Sequence, residues 1–272
     1  MSEVPGEQEL SALVAEIRRR PKEFALFCDL DGTLAPIVAR PEEVEVPEVT
    51  RNAIDEAARR LGLCAIVTGR PAREARELIG VDSVVVAGNH GLELLEADSG
   101  EITTHELLAG HENEASEFLD SLDREELDRV GIRIEDKGAI IALHWRGAED
   151  SRDLREAIER TASRAREVGL DPRGGRMVLE LRPRVAIDKG VAVAGLIDSR
   201  PDIDSAVFIG DDSTDLDAFD ALDLLAARGR LSLASKIAVV SEETAGLDLS
   251  DRADISLSGP AEVADLIARM GD

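Results

Sequence analysis

Apolar side chains at Leu10, Leu13, Val14 and Ile17 recur at the three- and four-residue spacing of a helix, and Pro21 closes the run. Residues 24–28, Phe-Ala-Leu-Phe-Cys, are then unbroken and apolar until Asp29, which predicts a strand covered on both faces. Helical spacing returns over 51–61 through Ile54, Ala57, Ala58 and Leu61. A strand at 64–68, a helix at about 71–79 and a strand at 83–87 follow. Strand and helix alternate, so this third of the chain predicts a parallel α/β sheet.

After Leu94 the rhythm changes. A polar helix over about 111–128 precedes two β-rich runs, 132–135 and 139–145, parted by the turn-forming Lys137-Gly138. A helix over about 151–168 precedes a second pair around Gly174-Gly175, its latter member spanning 177–181. This order predicts an α+β module with an antiparallel sheet. The parallel character then resumes with a helix at 191–197, a strand at 206–209, a helix at 216–227, short strands at 236–240 and 255–257, and a last helix opened by Pro260. The reading is therefore an N-terminal helix within 1–23, an α/β core made of 24–105 and 185–272, and an inserted α+β domain at 106–184.

Composition narrows the function. The chain has 272 residues and a formal charge of −25, which repels phosphate backbones and argues against nucleic acid or an anionic membrane as partner. With five Phe, one Trp and no Tyr, the core must be aliphatic and base-stacking platforms are scarce. Cys28 and Cys64 lie in apolar runs and read as reduced core residues. The start of the chain has no basic segment followed by an apolar one, and no apolar run reaches about 18 residues, so a cytoplasmic protein is expected.

Candidate chemistry gathers at predicted strand ends, where open parallel sheets bind their ligands. Asp29-Leu30-Asp31-Gly32-Thr33-Leu34 ends the first strand; the spacing lets both carboxylates face one site while Leu30 returns to the core. Phe208-Ile209-Gly210-Asp211-Asp212-Ser213-Thr214-Asp215 ends another. Four or five anions so placed need a cation to compensate them, and hard oxygen donors suit Mg2+. Ile66-Val67-Thr68-Gly69-Arg70 offers a hydroxyl and backbone N–H groups to a phosphate oxygen, although Thr68 could equally cap the following helix. Lys189, in Ile187-Asp188-Lys189-Gly190, is one of only four lysines in an arginine-rich chain.

These pieces, in this order, resemble the haloacid-dehalogenase-like phosphohydrolase superfamily, whose fold is a Rossmannoid parallel-sheet core with an inserted cap. The resemblance implies that Asp29 is a nucleophile forming an aspartyl-phosphate and that Asp31 is the general acid, then the base. It implies that Thr68 and Lys189 hold the phosphoryl oxygens, with Gly32, Thr33, Gly69 and Arg70 supporting the loops. Asp29, the Asp31 carbonyl and Asp211 would bind Mg2+, Asp212 would join them or stand in the outer shell, and Asp215 would act in the outer shell or orient Lys189. To give up a proton near neutral pH, Asp31 should stand apart from the cations and beside other carboxylates.

Three further segments resemble trehalose-6-phosphate phosphatases: Gly88-Asn89-His90-Gly91-Leu92-Glu93, Lys137-Gly138 with Ala142-Leu143-His144-Trp145-Arg146, and Gly175-Arg176-Met177-Val178-Leu179-Glu180-Leu181-Arg182-Pro183. The resemblance implies a sugar phosphate substrate, trehalose 6-phosphate, held by Lys137, His144, Glu180 and Arg182 of the cap and by Asn89, His90 and Glu93 of the core, in a monomer. Sucrose phosphate or a glycosyl-phosphoglycerate are alternative substrates, and a phosphosugar-binding protein is an alternative function. Four of these residues also have a purely structural reading: His144 as a surface strand residue, Glu180 and Arg182 as a surface pair, His90 as a satisfied loop histidine. Two positions depart from the family pattern. Leu216 stands where a Glu is usual, and Trp145 where a Tyr is usual.

Overall fold

The apolar run after Pro21 forms the centre of an eight-stranded sheet in the computed structural model, which describes residues 7–38, 40, 43–109, 111, 113–175, 177–240 and 249–271. Arg176, residues 1–6 of the expected N-terminal helix and Glu112 of the expected helix over 111–128 lie outside the described residues. The chain divides into two compact units, Met1–Thr104 with Ile187–Asp272, and His105–Ala186.

The first unit begins with α1 (Glu7–Arg19), β1 (Phe24–Cys28), α2 (Glu48–Arg60), β2 (Leu63–Val67), α3 (Ala72–Ile79), β3 (Val85–Gly88), β4 (Glu93–Leu95) and β5 (Ile102–Thr104). After the second unit it resumes with α7 (Lys189–Asp198), β10 (Ser205–Gly210), α8 (Asp215–Ala227), β11 (Leu233–Val239), α9 (Leu249–Arg252), β12 (Ile255–Leu257) and α10 (Pro260–Gly271). The sheet order is β12-β11-β10-β1-β2-β3-β4-β5. From β12 to β3 all pairs are parallel, and β4 and β5 extend the edge antiparallel.

Period-two alternation sorts the strand residues into two cores. Leu26, Cys28, Ile66 and Ile209 pack with α1, α2, α3 and α10 on one face, and Phe27, Ala65, Val67 and Phe208 pack with α7 and α8 on the other. Aromatic mass is spent sparingly there: Phe208 and Phe219 meet edge to face at 6.0 Å. The parallel strands are covered on both sides, so their chemistry can emerge only at the ends.

The second unit runs α4 (Glu114–Asp120), α5 (Arg124–Arg129), β6 (Arg133–Asp136), β7 (Ile141–His144), α6 (Arg152–Glu167), β8 (Leu170–Gly175) and β9 (Val178–Pro183), with an antiparallel sheet ordered β6-β7-β9-β8. Where one helix over 111–128 was expected there are two, because Asp123 caps a new start by accepting from the Glu126 N–H at 2.9 Å. One face carries Ile141, Leu143, Leu179 and Leu181 into a core with Phe118 and α6, and Trp145 packs against that core. His105 and His111 hold local turns, through the Leu107 N–H and Glu114 respectively.

Candidate active site

The carboxyl ends of β1, β2 and β10 bring the sequence-predicted core groups together. The Asp29 N–H continues the ladder by donating to the Ile209 carbonyl at 2.9 Å, which fixes the first acid against the second strand end. Gly32 follows in a left-handed conformation, φ 86°, and a Cβ there would lie 2.1 Å from Asp211 Oδ2. Only glycine lets the two acidic loops approach this closely. Thr33 closes the contact, its hydroxyl donating to Asp211 Oδ1 at 3.3 Å.

Lys189 enters from the first turn of α7 and is buried, its Nζ 3.0 Å from Asp29 Oδ1 and 2.6 Å from Asp215 Oδ1. The other oxygen of Asp215 accepts from the Asp211 and Asp212 N–H groups, at 2.9 Å each. Asp215 thus shapes the β10 loop and aims the lysine. Asp212 is exposed, and its Oδ1 accepts from the Ser213 N–H and hydroxyl.

Burial pushes the Asp29, Asp211 and Asp215 carboxyls above the ordinary range; neighbouring acids add to the effect and Lys189 opposes it. Burial would lower Lys189, but Asp215 and Asp29 outweigh it and hold the ammonium above its ordinary value. Asp29, Asp211 and Asp215 each offer an oxygen within 4.8 Å of the others. Three buried carboxylates sharing one ammonium leave negative charge uncompensated, and hard oxygen donors in that state fit a divalent cation. The acidic triad could hold a metal ion; Asp212, also expected among the ligands, stands outside the triad.

Asp31 differs from expectation. Its carboxylate turns to Arg70, which donates from Nε to Oδ2 at 2.7 Å and from Nη2 to Oδ1 at 2.8 Å while Nη1 reaches Glu74. A guanidinium, rather than another carboxylate, is its direct partner, because β2 delivers Arg70 beside the β1 loop. Thr68 is buried, and its hydroxyl accepts from the Arg70 N–H at 3.2 Å. It does not cap α3; the Ala72 N–H at that helix start donates to Glu93 instead, at 2.8 Å. Asn89 also donates to Glu93, at 2.9 Å, and His90 is buried against Gly69.

In the second unit the residues on the sheet face opposite the core form their own network. Lys137 Nζ lies 3.1 Å from Glu180 Oε1 and 4.0 Å from Glu135 Oε2, and Arg182 Nε donates to Glu180 Oε2 at 3.0 Å. His144 Nε2 lies 2.7 Å from Glu135 Oε2. Glu135 was missed by the sequence reading, yet the β6–β7 register sets it opposite Ala142, on the face of Glu180 and His144. Alternation along β6 was the signal that could have found it. Leu216, in the first turn of α8, is partly buried against the core on the Phe208 and Phe219 side of the sheet.

A profile of the trehalose-phosphatase family matches residues 27–250. The chain belongs to the trehalose-phosphatase family. A "Probable trehalose-phosphate phosphatase" of Sinorhizobium fredii is 35% identical over 215 residues, covering 77% of this chain and 76% of that one. An "Uncharacterized glycosyl hydrolase" of Mycobacterium tuberculosis is 36% identical over 215 residues, 75% of this chain but only 15% of that protein's length. The chain thus spans a small part of some of the curated relatives it matches. The solved C-terminal domain of Candida albicans trehalose-6-phosphate phosphatase superposes at TM-score 0.77 with 21% identity, covering 96% of each chain. The shared fold is the haloacid-dehalogenase-like α/β arrangement.

Proposed function

We propose that the protein is a cytoplasmic, Mg2+-dependent phosphatase that hydrolyses trehalose 6-phosphate to trehalose and phosphate. The observation that carries this reading is the buried Asp29, 3.0 Å from Lys189 at the end of β1, inside the acidic triad of a trehalose-phosphatase family member. Asp29 attacks phosphorus while the bond to the sugar oxygen breaks, its electron pair leaving with that oxygen. The sugar oxygen takes a proton from Asp31. Water then attacks the aspartyl-phosphate, gives its proton to the Asp31 carboxylate, and the bond between phosphorus and Asp29 breaks to release phosphate.

Lys189 and Thr68 hold the phosphoryl oxygens, and the Lys189 charge reduces repulsion between an anionic nucleophile and an anionic substrate. Asp29, the Asp31 carbonyl and Asp211 would hold Mg2+, which when bound supplies further charge compensation for the phosphoryl group. Asp215 keeps Lys189 aimed. Lys137, His144, Glu180 and Arg182 are proposed to bind the sugar phosphate, since each buried sugar hydroxyl requires a hydrogen-bond partner. Among the described residues no helix is long and apolar enough to cross a membrane. The protein is proposed to act as a monomer on a small molecule, without nucleic acid or membrane.

The test is phosphate release from a panel of sugar phosphates with Mg2+. Trehalose 6-phosphate should be the preferred member, and Asp29→Asn should lose at least about 1,000-fold in kcat, because an amide in place of the attacking carboxylate cannot form the aspartyl-phosphate. Preference for another sugar would refute the substrate, and full activity in Asp29→Asn would refute the mechanism.

A further inference from the structure

Two consecutive residues after β3, Asn89 and His90, hold left-handed φ values of 49° and 58°. Asn and His enter this region more readily than most side chains with a Cβ, yet two in succession are uncommon, and local contacts hold them. The Asn89 N–H donates to the Arg70 carbonyl at 2.8 Å and the His90 N–H to the Thr68 carbonyl at 2.9 Å. Gly69 lies between them, and a Cβ there would stand 2.6 Å from His90 Nε2. The strained pair is therefore laid along the loop that carries Thr68.

Glu93 locks the arrangement from β4. Its Oε1 accepts from Asn89 Nδ2 at 2.9 Å and its Oε2 accepts from the Ala72 N–H at 2.8 Å. The N-cap position of α3 is Pro71, which provides no side-chain acceptor. A carboxylate borrowed from another strand thus does the capping, with its charge at the favourable end of the helix. Both oxygens of Glu93 are engaged in this way, and segment 68–72 is held at Thr68, Arg70 and Ala72.

On the phosphatase reading given above, we infer that Glu93 and Asn89 are positioning residues for the phosphoryl-binding loop 68–72, acting through Thr68 and the adjacent backbone N–H groups rather than by touching the sugar. The two roles differ in what they touch. A sugar contact matters only when a sugar is present, whereas a loop clamp matters for phosphate alone.

The experiment measures inorganic phosphate binding by calorimetry in Mg2+, together with turnover of a sugar phosphate and an aryl phosphate, for wild type, Glu93→Ala, Glu93→Gln and Asn89→Ala. Glu93→Ala should weaken phosphate binding about tenfold, since the loss of two part-buried charge-assisted hydrogen bonds reaches the phosphate only through the loop, and should lower kcat/KM for both substrates in step. Glu93→Gln can still accept from Ala72 and donate to a flipped Asn89 amide, and should stay within about threefold of wild type. Asn89→Ala should reproduce the Glu93→Ala pattern at smaller amplitude, which keeps the test usable if Glu93→Ala does not fold. Unchanged phosphate affinity with a loss confined to the sugar phosphate would overturn the inference, as would a lowered Tm with phosphate affinity intact. Phosphate binding that depends on Glu93 in a protein releasing phosphate from neither substrate would support the clamp while sinking the phosphatase reading.

Discussion

Arg70 grips both oxygens of Asp31 and reaches Glu74 as well, so the proposed proton donor is held by a side chain that itself meets no phosphate oxygen in the mechanism. Arg70→Gln should therefore lower kcat/KM, which reports phosphoryl transfer and not the later attack of water, by about tenfold or more for a sugar phosphate, since general acid catalysis is worth at least that much. An aryl phosphate, whose leaving group departs without a proton, should lose much less. Equal losses on the two substrates would show that Arg70 serves the fold alone. Cys28 and Cys64 make the opposite case: burial pushes the Cys64 thiol up to about 12 and Cys28 well above its ordinary value. Neither should react with a disulfide reagent at pH 8 until the protein unfolds. Asp29 and Asp211 were legible in the sequence because an apolar strand running into an acid dictates where that acid emerges, and Lys189 because a lysine is rare in this arginine-rich chain and sits where the family resemblance expects one. The Arg70–Asp31 and Glu93–Ala72 pairings were not, because they join loops whose meeting depends on strand order and on two left-handed residues.

At the scale of elements, α7 shows how a helix start can serve chemistry. Asp188 caps it by accepting from the Val191 N–H at 2.9 Å, and the next residue is Lys189. Asp188→Ala should cost about 1 kcal/mol, typical of a lost N-cap, read as a lower urea midpoint. The alternating parallel core was readable from unbroken apolar strands and amphipathic helices. The edge strands β4 and β5 escaped because they are three residues each and only partly covered, so no face imposes a clear alternation. The split between α4 and α5 was encoded, in Asp123 with Glu126 three residues on, but the apolar spacing ran through it.

Across the whole molecule, a charge of −25 makes the buried acids a liability that binding must offset. Burial raises the folded-state values of Asp29, Asp211 and Asp215 above those of the unfolded chain. Their contribution to stability is therefore fully present below about pH 4 and is lost as pH rises through the raised values. In a chelator these acids should weaken the fold more at pH 8 than at pH 5, and Mg2+ should raise Tm by a larger margin at pH 8. Equal Mg2+ shifts at the two pH values in a thermal melt would contradict this. The division of the chain also sets an order of assembly. His105–Ala186 is continuous, whereas the other unit needs β1 paired with β10 across that whole insertion. During synthesis the inserted unit has all its partners first, and the amides of β6–β9 should gain protection from hydrogen exchange before those of β1. Asp29 then waits at the end of an apolar strand that has β2 on one side but still lacks β10 on the other until Lys189 and Asp211 have left the ribosome, so the open strand edge is the one that carries the proposed nucleophile.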